Sequence, residues 1–419
     1  MTQFPLDDAT SWVAEYGSPL YVYDADTIKK QYRRISGAFD SDLKVGIHYA
    51  CKALNNLNVL KLLKAEGAGL DAVSLGEIHL GLRAGFRPDQ ILFTPNGVGM
   101  GEIREAVNIG VQINIDNLET LEEFANEFGN RIPVCVRINP HIMAGGNAKI
   151  SVGHIDSKFG ISIHQMRHLH RIVDHMGLHV HGLHMHTGSD ILDIESFMRG
   201  ANLLLEVAHD FKELTYVDFG SGFKVGYKPG ENTTDIETFG RKMSARFKEF
   251  CLEYGRDLEL IFEPGKFLVS ESGVFLSTVN STKTTPSTVF AQVDSGFNHF
   301  PRPMLYNAYH HIENISNPEG ENRLYTIVGY ICETDTFGYD RQLAEVRRGD
   351  ILAFHNAGAY CATMASNYNS RVRPAEVLLV DGKPHLVRER ETIEDLARGT
   401  VELDVFENQV ESSEEIALT

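Results

Sequence analysis

Short apolar, β-branched-rich runs recur along the first two-thirds of the chain, separated by stretches with helical spacing. The runs fall at 44–49, 70–73, 91–93, 113–115, 134–138, 180–184, 216–218 and 259–262. Between them, 58–65, 76–84, 118–128, 163–175 and 195–211 repeat apolar residues with the period of a helix that buries one face. Strand–helix alternation repeated eight times over about 220 residues predicts an α/β fold, a (β/α)8 TIM-type barrel. An open doubly wound sheet is the competitor, but no G-x-G-x-x-G follows the first run.

The pattern changes after residue 270. Stretches 273–284, 287–293, 325–332, 351–355 and 376–380 are β-rich, and Val380-Asp381-Gly382-Lys383 reads as a hairpin turn. An all-β, sandwich-like C-terminal domain is therefore expected. The lone early run 20–23 can return to its sheet. The expected division is a barrel over 25–272, a β domain from 1–24 plus 273–400, and an acidic tail over 401–419.

Composition narrows the function. With 42% hydrophobic and 23% charged residues among 419, the chain has the profile of a globular enzyme. The charge sum, 39 minus 57, is −18, which disfavours nucleic acid and anionic membrane surfaces as partners. No apolar run of about 18 residues is present, and Met1 to Trp12 lacks the basic cluster of a signal peptide. Five scattered cysteines without C-x-x-C spacing fit a reducing compartment, so a cytoplasmic protein is expected.

In a barrel, reactive groups sit where strands end. The first strand ends in His48-Tyr49-Ala50-Cys51-Lys52. Burial there is expected to lower the lysine's pKa and make it a nucleophile toward carbonyls, unless the ammonium simply reaches the rim. The sixth ends in His184-Met185-His186-Thr187-Gly188-Ser189, where an H-x-H pair can ligate zinc, or one imidazole can stack on a flat cofactor. His164 and His168 read as a solvated face. The seventh runs into Asp218-Phe219-Gly220-Ser221-Gly222, small residues whose N–H groups can close on a phosphate. The eighth ends in Glu263-Pro264-Gly265-Lys266. Lysine, histidine, phosphate donors and a buried carboxylate at one mouth together describe a pyridoxal 5'-phosphate site. The β domain adds Arg302 to Tyr306, Cys332-Glu333 and Ala357 to Tyr360, where a thiol beside a carboxylate can donate a proton or merely pack.

These residues resemble the diaminopimelate decarboxylase family, from about Pro19 to Leu396. The most specific stretches are Tyr49-Ala50-Cys51-Lys52-Ala53, His186-Thr187-Gly188-Ser189, Glu263-Pro264-Gly265-Lys266, Arg302-Pro303-Met304-Leu305-Tyr306, Cys332-Glu333 and Met364 to Arg371. The resemblance implies an alanine-racemase-like barrel with a β-sandwich domain, acting on an amino-acid substrate as a homodimer with shared active sites. It implies Lys52 as the lysine that carries the cofactor, His186 stacked on its ring and Glu263 at its pyridine nitrogen. Ser189, Gly220, Ser221, Gly222 and Gly265 would hold the phosphate. Cys332 would donate a proton across the dimer interface, and Tyr360 would touch cofactor and substrate. Arg302, Tyr306 and Glu333 would read the substrate's far end, with Lys266 contributing to cofactor or substrate. The implied reaction converts meso-2,6-diaminopimelate to L-lysine and CO2.

Four positions depart from the family's usual residues: Lys266 for Arg, Asp190 for Gln, Thr334 for Ser and Ser221 for a third glycine. The nearest rival is a decarboxylase for ornithine, arginine or carboxynorspermidine, whose substrates would find Arg302 a liability. A racemase is disfavoured by Glu263. From other classes, a zinc hydrolase would use His184 and His186, and a regulatory homologue would not need both Lys52 and Cys332.

Overall fold

The eight apolar runs form eight parallel strands that close on themselves in the computed structural model, which describes residues 4–142 and 156–403. These are β2 (Val45–Ala50), β3 (Gly69–Ala72), β4 (Ile91–Phe93), β5 (Gln112–Ile115), β6 (Val134–Asn139), β8 (Val180–His184), β9 (Tyr216–Asp218) and β10 (Glu259–Phe262). β10 pairs with β2, and β5 with β6, which closes the barrel. The two-residue β7 (Ile161–Ser162) adds to the end of β6. Such strands lie between a packed interior and a coat of helices, so they are apolar on both faces, and every residue of β4 and β6 is buried.

Local chemistry sets where the helices begin. Ser74 Oγ accepts the Glu77 N–H at 3.2 Å, and Asn117 Oδ1 accepts that of Thr120 at 2.8 Å, each capping the helix that follows a strand. The helix Leu57–Glu66 stops at Gly67, whose φ of +104° suits only glycine. Amphipathic helices also form outside the predicted helical stretches, among them Ala25–Ser36, Met100–Ile109 and Ile236–Tyr254.

The second sheet is mixed. Its path runs β15 (Thr336–Ala344), β14 (Asn322–Val328), β12 (Val289–Val293), β11 (Gly273–Thr284), β1 (Leu20–Asp24), β17 (Ala375–Val380) and β18 (Lys383–Arg388). β16 (Ile351–His355) pairs with β11 and with β13 (Ile312–Asn314). β1 is antiparallel to β11 and parallel to β17. The architecture is thus a TIM-type barrel with a C-terminal β domain. On one face of this sheet, Phe4 and, from the helix Ala9–Tyr16, Trp12 pack against Val22, Leu276 and Val377. The hairpin turn is present: Val380 pairs with Lys383 across Asp381 and Gly382, both at positive φ.

β14 ends at Val328, not at Cys332. The Gly329 N–H donates to Asp335 O at 3.0 Å and that of Ile331 to Asp335 Oδ2 at 3.2 Å, turning the chain out of the sheet. Residues 404–419, most of the acidic tail, lie outside the described residues. Among the described residues no helix is long and apolar enough to cross a membrane.

Candidate active site

All eight strands point their C-terminal ends at one mouth, and a cavity of 410 Å³ opens there. Lys52, in the short turn Cys51–Ala53 after β2, directs its ammonium to Asp71 Oδ2 on β3 at 3.1 Å. Asp71 is buried, whereas the Lys52 side chain keeps 43% of its surface open to the cavity. The expected downward pKa shift is not found. Burial does oppose the charge, but Asp71, Tyr360 and Glu263 outweigh it and hold Lys52 above the ordinary lysine value.

Glu263 follows β10 and is buried. His184 Nε2, at the end of β8, lies 3.1 Å from its Oε2. Burial opposes ionisation of Glu263, yet His184 and then Lys52 hold it well below the usual carboxylate range. Asp218, at the end of β9, is pushed the other way by burial and by Glu263's charge. Two carboxylates this close in a dry site do not both ionise. Asp218 Oδ1 accepts the Gly220 N–H at 2.8 Å, and Glu263 Oε1 is buried with no hydrogen-bond partner among the described residues.

His186 is neutral. Burial, then the charges of Arg137 and Lys52, push it down to about 3. Its Nδ1 accepts the Ser221 N–H at 3.3 Å, which fixes the tautomer. The turn Gly220 to Gly222 packs against the one that carries Gly188 and Ser189. A Cβ at Gly222 would fall 2.1 Å from the Gly188 carbonyl oxygen, so only glycine permits this approach. Ser221 Oγ donates to the Glu263 carbonyl at 2.7 Å. His184 and His186 thus have different partners. Three side chains do converge as a metal site would require, but they are His184, Asp218 and Glu263, whose ligand atoms lie within 4.8 Å of one another.

Lys266 is also buried. Its ammonium donates to Ser189 Oγ at 3.0 Å and pairs with Asp190, and burial keeps its pKa below the ordinary value despite that partner. Two of the four family departures therefore meet. A second cavity, of 610 Å³, shares Lys52, His186, Ser189, Lys266 and Tyr360 with the first and adds Asp190, Arg302 and Tyr306. Arg302 is 9% exposed. It donates to His310 Nε2 at 3.3 Å, lies over the ring of Tyr227 at 5.2 Å, and forms no ion pair among the described residues. Tyr360 is tied down by its N–H to Ala53 O, at 2.9 Å.

Thus Lys52, His186, Ser189, Ser221, Gly222, Glu263, Gly265, Lys266 and Tyr360 border the first cavity and Arg302 and Tyr306 the second. Gly220 lies just behind the first, with its carbonyl accepting the Glu263 N–H at 2.8 Å. Cys332 and Glu333 border neither. Both are exposed on the loop after β14. Asp71 and Arg137 were not singled out above, although a charge inside an apolar strand run is a legible signal. His164 and His168 are exposed, as a solvated face requires.

The arrangement fits pyridoxal 5'-phosphate. An amine faces the cavity, a neutral imidazole can lie against a ring, an anionic carboxylate has one oxygen unpartnered among the described residues, and Ser189 and Lys266 offer donors. Residues 25–270 match the family model of the pyridoxal-binding domain of pyridoxal-dependent decarboxylases. The diaminopimelate decarboxylase of Methanothermobacter thermautotrophicus is 41% identical over 401 residues, 94% of each chain. The crystal structure of the Helicobacter pylori diaminopimelate decarboxylase complexed with L-lysine superposes with a TM-score of 0.85 at 33% identity, covering 93% of this chain and 98% of that one. The corresponding enzyme of M. jannaschii, also complexed with L-lysine, gives 0.84 at 32% identity over 94% of both.

Proposed function

The chain belongs to the diaminopimelate decarboxylase family, and from that premise we propose that it converts meso-2,6-diaminopimelate to L-lysine and CO2 with pyridoxal 5'-phosphate. The observation that carries the substrate is Arg302. A buried guanidinium with no ion-pair partner among the described residues, in a cavity continuous with that of Lys52, calls for an anion at the substrate's far end. Diaminopimelate keeps a carboxylate there, whereas ornithine and arginine do not.

When bound, the cofactor supplies an electron sink for the pair released as CO2 departs. The chain's own residues prepare that step. Lys52 would hold the cofactor through its amine, with Asp71 beside it. Neutral His186 offers its ring face without adding charge. Glu263, kept anionic by His184, holds a proton on the pyridine nitrogen. Ser189, the turn Gly220, Ser221 and Gly222, and Gly265 serve the phosphate, with Lys266 beside Ser189. Tyr360, at the junction of the two cavities, bounds cofactor and substrate and excludes water, while Tyr306 flanks Arg302.

The exposed pair Cys332 and Glu333 acts across a homodimer in this reading. Cys332 gives a proton to the carbon that lost its carboxylate, and Glu333 meets the far ammonium. Five free cysteines support a cytoplasmic setting.

The test is CO2 release from purified protein and cofactor with meso-diaminopimelate, ornithine, arginine and carboxynorspermidine. Release from diaminopimelate with stoichiometric L-lysine is expected. Preference for any of the others overturns the assignment, and activity that needs zinc and no cofactor promotes a hydrolase.

A further inference from the structure

The loop that carries Cys332 is held more firmly than an exposed turn requires. Asp335 closes it from within, as described above, and a second exposed loop, Tyr368–Ser370, grips it from outside. The Tyr368 hydroxyl donates to Glu333 Oε1 at 3.0 Å. Asn369 Oδ1 accepts the Cys332 N–H at 3.0 Å, while Asn369 Nδ2 donates to Cys332 Sγ at 3.1 Å. Two adjacent residues thus grip two adjacent residues. Asn369 sits at φ +57° and ψ +28°, left-handed backbone that few residues besides glycine and asparagine adopt readily. That backbone aims both ends of one carboxamide at one cysteine. Arg371, with its guanidinium 3.8 Å from the Tyr330 ring centroid, ties the same two loops together once more.

We infer that Asn369 is a positioning residue for the Cys332 thiol, fixing Sγ where it delivers its proton. The inference rests on the proposed role of Cys332 as donor. In that step the S–H bond breaks, and the pair left by CO2 forms the new C–H bond. The thiolate regains a proton from water. A hydrogen bond to a charged acceptor is stronger than one to a neutral acceptor, so the Asn369 N–H stabilises the sulfur most as its charge develops.

Asn369→Asp tolerates the same backbone but replaces the donor by an acceptor and puts a negative charge beside the sulfur. Cys332 is the one cysteine of the five that its own chain leaves exposed, and in the shared site it would face the space the substrate enters, so its labelling by iodoacetamide in substrate-free holoenzyme, followed by mass spectrometry, reads the thiol without turnover. Labelling in Asn369→Asp should slow roughly tenfold, and kcat for meso-diaminopimelate should fall by about the same factor with KM unchanged. In a Cys332→Ala background the same substitution should cost nothing further, because it acts through the sulfur. Unchanged labelling, or an equal loss of kcat in both backgrounds, overturns the inference. Wild-type turnover in Cys332→Ala would instead overturn the donor role, with labelling still deciding the Asn369 contact. Should Asn369→Asp fail to fold, Asn369→Gly, which accepts the same φ, gives the same kcat cycle.

Discussion

His184 Nε2 lies 3.1 Å from Glu263 Oε2, with both side chains almost wholly withdrawn from solvent at the ends of two barrel strands. Burial alone would favour a neutral glutamic acid, and the His184 contact and Lys52 reverse that preference. A depressed carboxyl pKa means that the charge is present at neutral pH and is lost only when pH falls below the ordinary carboxylate range. Glu263→Gln removes the charge at every pH. The variant should retain cofactor by absorbance and mass, and lose about 10²- to 10³-fold in kcat, the scale of a lost electrostatic contact at a reacting centre. Near wild-type turnover would mean that Glu263 does not serve the ring nitrogen.

The contact of Lys52 with Asp71 makes a second, pH-dependent prediction. A lysine attacks a carbonyl only as the free amine, and its raised pKa keeps Lys52 protonated until higher pH than an ordinary lysine. Asp71 is the strongest of the groups that raise it. Asp71→Asn should therefore shift the pH profile of covalent cofactor capture, trapped by borohydride and read by mass, toward lower pH. Lys52→Ala should trap none. An unmoved profile in Asp71→Asn would show that the carboxylate does not control the amine.

How much of this was legible depended on burial. All eight barrel strands coincide with apolar runs, because a strand covered on both faces has few polar positions to blur it. β13, β15 and β18 were not legible: the first has three residues, and β18, reading Lys-Pro-His-Leu-Val-Arg, is largely exposed and alternates weakly. At the site, Lys52 and Glu263 were visible as charges at strand ends. Their partners, Asp71 and His184, lie on other strands, and the pairings Lys52–Asp71 and Glu263–His184 emerge only when the barrel closes. The pairing of Lys266 with Asp190 is of the same kind, since each position departs from the family singly and only the fold brings them together.

Arg302 carries the substrate assignment and can be tested by a change of preference. Arg302→Met removes the cation while preserving bulk against Tyr227. KM for meso-diaminopimelate should rise by about tenfold or more, as for loss of a charge-assisted contact. The ratio of kcat/KM for diaminopimelate over an analogue without the distal carboxylate should fall in parallel. Equal losses on both substrates would assign Arg302 a structural role only.

In the proposed dimer one reacting centre is built from Lys52 of one chain and Cys332 of another, for Cys332 borders neither cavity of its own chain. Lys52→Ala protein, which is inactive, and Cys332→Ala protein, which keeps only a small residual turnover, can be mixed in equal amounts and allowed to exchange subunits, with CO2 release from meso-diaminopimelate as the readout. Each mixed dimer would hold one site with both groups intact and one with neither. Random exchange makes half the dimers mixed, so about a quarter of wild-type activity should return under two-fold symmetry. No recovery, with mixed dimers demonstrated by mass spectrometry, would contradict the shared site.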